Sequence, residues 1–71
     1  MCLAIPGKVM EVDGKWALVE YDGILRKARI DFLSVKEGDW VMVHAGYAIE
    51  KVDEKKAKES LAIWRKMMEK L

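Results

Sequence analysis

Two Asp-Gly dipeptides, each flanked by apolar residues, constrain the fold of this chain more than any other feature. Asp13-Gly14 and Asp22-Gly23 fit two-residue hairpin turns, whose backbone angles glycine adopts at little cost. Glu37-Gly38-Asp39 indicates a third turn, and Ala45-Gly46 a weaker one. These turns divide the first three-quarters of the chain into short segments, each long enough for one strand.

Alternating side chains between the turns predict about five strands. They cover residues 7–12, 15–21, 24–31, 40–44 and 47–52. The fourth strand is apolar on both faces, which is typical of a strand inside a closed or covered sheet. The predicted fold class is therefore mainly β: a small, OB-like β-barrel or strongly curled sheet.

The hydrophobic period changes after Val52 and predicts a C-terminal α-helix. Asp53 is a suitable N-cap residue for it. One apolar stripe follows at spacings of four, three, four and three: Ala57, Leu61, Trp64, Met68 and Leu71. We expect residues 53–71 to pack on a barrel formed by residues 1–52, giving one domain that is a monomer when free.

Length and composition exclude several functional classes. With 71 residues, the chain has no room for a catalytic domain beside a separate cofactor domain. A single cysteine excludes an internal disulfide framework and a zinc site of several thiolates. The sequence shows no catalytic pattern, no signal peptide and no membrane-spanning stretch, so we expect a cytoplasmic protein that is not an enzyme and does not contact a membrane.

Cys2 and His44 are the candidate metal ligands. If the initiator methionine is removed, the Cys2 thiol lies beside an α-ammonium group, which lowers a thiol pKa and favours the thiolate. His44 ends a predicted strand in the segment VHAGYA, and neutral imidazole is a good ligand for iron. The plainer alternatives are a buried thiol and a strand histidine with a satisfied ring nitrogen. One cysteine and one histidine suit a carrier that must later release its iron complex.

A small nucleic-acid-binding barrel is the alternative function. Arg26, Lys27 and Arg29 form a basic cluster on the third predicted strand, and small barrels of this kind bind nucleic acids. However, 13 basic and 12 acidic residues leave a net charge of +1, too little for a protein that mainly neutralises phosphates. We therefore interpret the cluster as solvated charge and expect no nucleic-acid partner. The tryptophans Trp16, Trp40 and Trp64 are predicted to face the core.

Two motifs give the chain a specific resemblance. The N-terminal MCLAIPGKV, with its cysteine directly after the initiator, and the later VHAGYAI resemble the HypC/HybG/HupF family of NiFe-hydrogenase maturation chaperones. The likeness extends over the whole chain, including its length and its C-terminal helix. It implies an OB-like barrel and a scaffold protein without catalytic activity.

The resemblance also implies a cargo, partners and site residues. The cargo is iron, carried transiently as an Fe(CN)2CO unit. The partners are HypD, on which the unit is assembled, and the precursor of the hydrogenase large subunit. Cys2 corresponds to the principal iron ligand and partner anchor, and His44 to the second residue at the iron. Pro6 and Gly46 correspond to positions that shape the site. From the residues themselves we expect the apolar Leu3 and Ile5 to dock on the partner.

Overall fold

Short turns connect the strands of the computed structural model, which describes residues 5–70. The turns at Asp13-Gly14 and Asp22-Gly23 form as predicted, with Gly14 at φ 61° and Gly23 at φ 93°. The strands are β1 Pro6–Asp13, β2 Trp16–Tyr21, β3 Ile24–Arg29, β4 Trp40–His44 and β5 Tyr47–Val52, followed by helix α1 Glu54–Glu69. The predicted order of elements is confirmed, with bounds that differ by one or two residues.

The five strands close into a barrel in the order β1-β2-β3-β5-β4. Neighbouring strands pair antiparallel, except β3 and β5, which meet in parallel where Arg29 lies opposite Tyr47. The third strand was predicted to reach Asp31 but ends at Arg29: the Ile30 N–H still donates to the Lys15 carbonyl at 2.8 Å, and the chain then bends away from the sheet at Asp31 and Phe32. The predicted fold class, a small barrel with a C-terminal helix, is confirmed.

Small side chains fill the interior of the barrel. Its buried core consists of Val9, Ala17, Val19, Ala28, Val41 and Ala48. A five-stranded barrel has a narrow interior, so alanine and valine fit where larger side chains do not. Consequently the prediction that Trp16 faces the core is wrong: Ala17 and Val19 take the inward positions of β2, and Trp16 is 45% exposed.

Gly7 shows how closely β1 approaches β2. A Cβ atom at Gly7 would meet a Val19 methyl group and would lie 2.7 Å from Cε1 of Tyr21. Both contacts are closer than real Cβ atoms allow, so β1 can pass β2 at this point only because Gly7 has no side chain. The close approach fixes the path of β1 directly after Pro6, whose side chain is buried.

The helix is buried most fully in its first half, and Trp64 in its second half is half-buried. Asp53 caps it as predicted, accepting from the backbone N–H of Lys55 at 3.1 Å and of Lys56 at 3.4 Å. Ala57 and Leu61 are buried in a small cluster with Trp40. The predicted apolar stripe is not buried along its whole length, since Met68 is 46% exposed. Leu71 lies outside the described residues. No helix within residues 5–70 is long and apolar enough to span a membrane.

Candidate functional site

His44 is presented to solvent at the end of β4. It is exposed and lies opposite Tyr47, with Ala45 and Gly46 forming the two-residue turn between them. Both turn residues have positive φ, 54° at Ala45 and 85° at Gly46, as the twist of a tight hairpin requires. The Gly46 carbonyl also accepts from the Arg29 N–H at 2.7 Å, which ties the turn to β3. The backbone of His44 is thus held firmly while its imidazole stays accessible.

The chain before Pro6 joins the barrel close to His44. Pro6 lies opposite Met42 and Gly7 opposite Val41, in antiparallel register. From Lys8 back to Pro6, the chain therefore runs alongside β4 in the direction of His44. Ile5 is half-buried at this end.

The predicted site residues fall into two groups. Cys2 and Leu3 lie outside the described residues, so their roles stay predictions. The register brings Ile5 and Pro6 to the end of the barrel that carries His44 and Gly46. In the described range 5–70, the acidic, cysteine and histidine side chains form no group of three or more that could hold a metal ion.

A row of paired residues that was not predicted from the sequence runs across the barrel to His44. Trp16 lies opposite Arg29, Arg29 opposite Tyr47, and Tyr47 opposite His44. Directly paired residues project from the same face of a sheet, here the outer one. Phe32 packs on Tyr47, with ring centroids 5.5 Å apart. We refer to Trp16, Arg29, Phe32 and Tyr47 as the aromatic belt.

Arg29 holds the belt together. Its guanidinium carbon lies 5.1 Å from the centre of the Trp16 ring, a cation–π geometry. The same group donates twice to Asp31, from Nε to Oδ1 and from Nη2 to Oδ2, both at 2.8 Å. This bond is the main reason that the pKa of Asp31 is lowered. Arg29 with Trp16, and Phe32 with Tyr47, thus form two ordered side-chain pairs, and the cation of the belt is already neutralised by Asp31. The Asp22-Gly23 turn sets the pairing of Trp16 with Arg29, so this part of the row could have been predicted from the sequence.

Comparison with known proteins agrees with the motifs. The sequence model of the HupF/HypC family matches residues 1–64. The chain is 45% identical over 74 residues to a protein of Helicobacter hepaticus named hydrogenase maturation factor HypC, covering 100% of this chain and 86% of the relative. It is 44% identical over 69 residues to the Rhizobium leguminosarum protein of that name, covering 92% and 89%.

A more distant relative matches over a similar length. The Escherichia coli K12 protein named hydrogenase maturation factor HypC is 29% identical over 76 residues, covering 97% of this chain and 84% of the relative. The family match reaches from the N-terminal motif, through the barrel, into the helix. The chain thus belongs to the HupF/HypC family.

Proposed function

We propose that this protein is a hydrogenase maturation chaperone that binds an Fe(CN)2CO unit and passes it on. It acts as a scaffold with HypD and delivers the unit to the precursor of the NiFe-hydrogenase large subunit. The names of its relatives, hydrogenase maturation factors rather than enzymes, support this role. The observation that carries the proposal is the exposed His44, at the end of the barrel where the N-terminal segment is attached.

Chain length supports a shared site for Cys2 and His44. Cys2 precedes Pro6 by four residues, which span at most about 14 Å when extended. His44 lies only two residues beyond Met42, the partner of Pro6, or about 7 Å along the strand. The segment is therefore long enough for the thiolate of Cys2 and the imidazole of His44 to act on one iron.

Two protein donors suit a cargo that brings its own ligands. Cyanide and carbon monoxide are strong ligands, so the iron needs few further bonds. Cys2 supplies a thiolate to the iron, and His44 supplies the second protein ligand through a ring nitrogen or donates a hydrogen bond to a cyanide. A site with so few protein bonds releases its cargo more readily than a closed set of four ligands.

The residues beside the donors contribute to partner binding in this proposal. Leu3 and Ile5 place apolar side chains next to Cys2, where a partner surface covers them. Pro6 and Gly46 act by shaping the backbone, Pro6 at the start of β1 and Gly46 in the turn after His44.

The test is an anaerobic purification of the protein in complex with HypD. We expect the native complex to contain iron and to show infrared bands of bound cyanide and carbon monoxide. Cys2→Ser is expected to lose the bands of iron-bound cyanide and carbon monoxide, because a hydroxyl is a poor substitute for a thiolate. His44→Ala is expected to weaken or shift the bands.

Glu50→Ala is the matched control for these variants. Glu50 is exposed on β5, in the hairpin that follows His44, so its loss tests the effect of altering the same surface. We expect this variant to keep native iron content, and all three variants to have native circular dichroism. A Cys2→Ser protein that still binds HypD and the large-subunit precursor and still shows the cyanide and carbon monoxide bands contradicts the assignment of the thiol.

A further inference from the structure

Residues 24–28 of β3 lie along an open edge of the sheet. β3 pairs with β2 over its whole length, but on its other side it meets β5 at a single residue, Arg29. The first four residues of the strand, from Ile24 to Lys27, are all exposed. An exposed edge of this kind is the part of a sheet to which another strand can be added. We refer to residues 24–28 as the β3 edge.

The bonds of Arg29 and Ile30 show which main-chain groups face the β3 edge. The Arg29 N–H donates away from β2, to the Gly46 carbonyl at 2.7 Å, whereas the Ile30 N–H donates towards β2, to the carbonyl of the residue before it. Main-chain groups alternate in direction along a strand, so Leu25 and Lys27 also point theirs away from β2. No strand within residues 5–70 pairs with these two residues on that side. The β3 edge therefore presents two N–H and two C=O groups in a row.

This main-chain pattern fits another peptide better than a nucleic acid. Alternating donors and acceptors need a partner that offers both at the spacing of a strand, as a second main chain does. Phosphate groups offer acceptors alone and would leave both carbonyl groups without a donor. Glu20, which lies opposite Leu25, also places a carboxylate beside the edge.

Two cations of the β3 edge have no acidic partner in the part of the chain that the structure describes. The Arg26 guanidinium donates to the Leu25 carbonyl at 3.5 Å, and neither Arg26 nor Lys27 takes part in an ion pair there. Side chains alternate between the faces of a strand, so Arg26 projects on the same face as the buried Ala28, and Lys27 on the outer face. Both faces of an added strand would meet a positive charge, which favours an acidic partner.

The same charges disfavour a second copy of this chain. Antiparallel pairing of two β3 edges about their centre sets Arg26 opposite Arg26, and like charges directly opposite each other are destabilising. The open edge of β5 is different, because Glu50 and Lys51 carry opposite charges and Lys51 contacts Asp39 at 3.5 Å. The cations without partners thus distinguish the β3 edge and indicate an acidic segment of another protein.

We infer that the β3 edge binds an extended acidic segment of another protein, which adds a strand to the sheet. Cross-strand complementarity specifies this segment: two adjacent acidic residues opposite Arg26 and Lys27, and two adjacent apolar residues opposite Ile24 and Leu25. In antiparallel pairing the acidic pair precedes the apolar pair. The contact uses no residue of the proposed iron site, so it goes beyond the chaperone function.

The experiment is an NMR titration of the isotope-labelled full-length protein with a short peptide. The peptide is blocked at both ends and carries two glutamates followed by two valines at its centre. We expect saturable shifts of the Leu25 and Lys27 amide signals at millimolar peptide, because these two N–H groups gain hydrogen-bond acceptors. A control peptide with lysines in place of the glutamates should give no saturable shift.

Two variants separate the main-chain contribution from the charge. Leu25→Pro removes one outward N–H at a position where an edge strand tolerates proline, and it is expected to abolish the shift of the Lys27 signal. Lys27→Glu is expected to weaken binding about fivefold, because an attraction becomes a repulsion between exposed charges. Lys66→Glu, the same charge change at an exposed position of α1, is the matched control and should bind like the native protein. If Leu25→Pro loses native circular dichroism, Lys27→Glu decides.

Three results would overturn the inference. The first is that the Leu25 and Lys27 signals do not move, or move equally with the lysine peptide. The second is that they change when the protein alone is diluted, which assigns the edge to a second copy. The third is tighter binding of a single-stranded RNA oligomer at the same amides. The infrared bands of the proposed function are measured separately, so either proposal can fail while the other stands.

Discussion

Gly7 is the residue at which the smallest change should have a large effect on the fold. An added methyl group would overlap Val19 and approach the Tyr21 ring. We expect Gly7→Ala to lower the free energy of unfolding by about 1–3 kcal/mol, the usual cost of overpacking a core. Urea denaturation, followed by tryptophan fluorescence, measures the change.

A double variant tests the cause of that loss. Val19→Ala alone leaves a cavity and destabilises the barrel. In Gly7→Ala/Val19→Ala the new methyl group occupies part of that cavity. The double variant should therefore lose clearly less unfolding free energy than the sum of the losses in the two single variants. Simple additivity would show that the two positions do not compete for the same space.

Among the connecting elements, the turn after His44 carries backbone strain. Ala45 has φ 54°, a left-handed conformation that disfavours a residue with a Cβ atom. We expect Ala45→Gly to raise the free energy of unfolding by about 0.5–1 kcal/mol, since relief of this strain exceeds the added freedom of the unfolded chain. The urea midpoint is the measurement.

Ala48→Gly provides the comparison, three residues further along. Ala48 is fully buried in β5, where glycine loses packing and gains only unfolded-state freedom. This variant should lower the urea midpoint. A lower midpoint for Ala45→Gly as well would mean that the turn does not strain Ala45.

Along the helix, the unfolding free energy lost when a side chain is truncated should depend on where that residue lies in the apolar stripe. Leu61 is only 7% exposed and packs in the cluster with Trp40, whereas Met68 is half-exposed. We expect Leu61→Ala to cost about 2–3 kcal/mol of unfolding free energy. Met68→Ala should cost less than about 1 kcal/mol. Equal losses in thermal or urea unfolding would show that the helix packs along its whole length.

The elements also show what the sequence could predict. The Asp-Gly turns set the β1–β2 and β2–β3 pairings, and the change of period located the helix. The inward face of β2 was harder to predict, because both of its faces carry apolar residues. Trp16 and Leu18 look more like core residues than Ala17 does, but the narrow interior accepts the smaller side chains.

At the scale of the whole molecule, a long-range ion pair joins the helix to the barrel. The Arg65 guanidinium donates to Asp22, at the β2–β3 turn, through Nε at 3.0 Å and through Nη2. Both side chains are exposed, so water and salt weaken the pair. We expect the coupling between Arg65→Ala and Asp22→Ala in a double-mutant cycle to be small at 0.1 M salt and to vanish near 1 M, where the Debye length is about 3 Å.

Lys58→Ala is the control for that cycle. Lys58 pairs with Glu54 inside the helix, so it should show no coupling with Asp22 at either salt concentration. Coupling between Arg65 and Asp22 that persists undiminished at high salt would contradict a solvent-screened pair.

The candidate site could be predicted only in part, because it depends on closure of the barrel. Cys2 and His44 were predicted from their ligand chemistry and from the motifs that contain them; His44 lies exposed at the end of β4, and Cys2 lies outside the described residues. The contact of Arg29 with Tyr47 is the closing parallel pair between β3 and β5, and no turn in the sequence specifies it. The aromatic belt became visible only once that pair was known.

The way the barrel closes leaves part of the sheet edge open. Strands β3 and β5 pair only where Arg29 lies opposite Tyr47, so residues 24–28 of β3 and 48–52 of β5 have no ladder partner on that side within residues 5–70. These two edges keep main-chain groups that an extended segment of another chain can bond without breaking a ladder of the barrel.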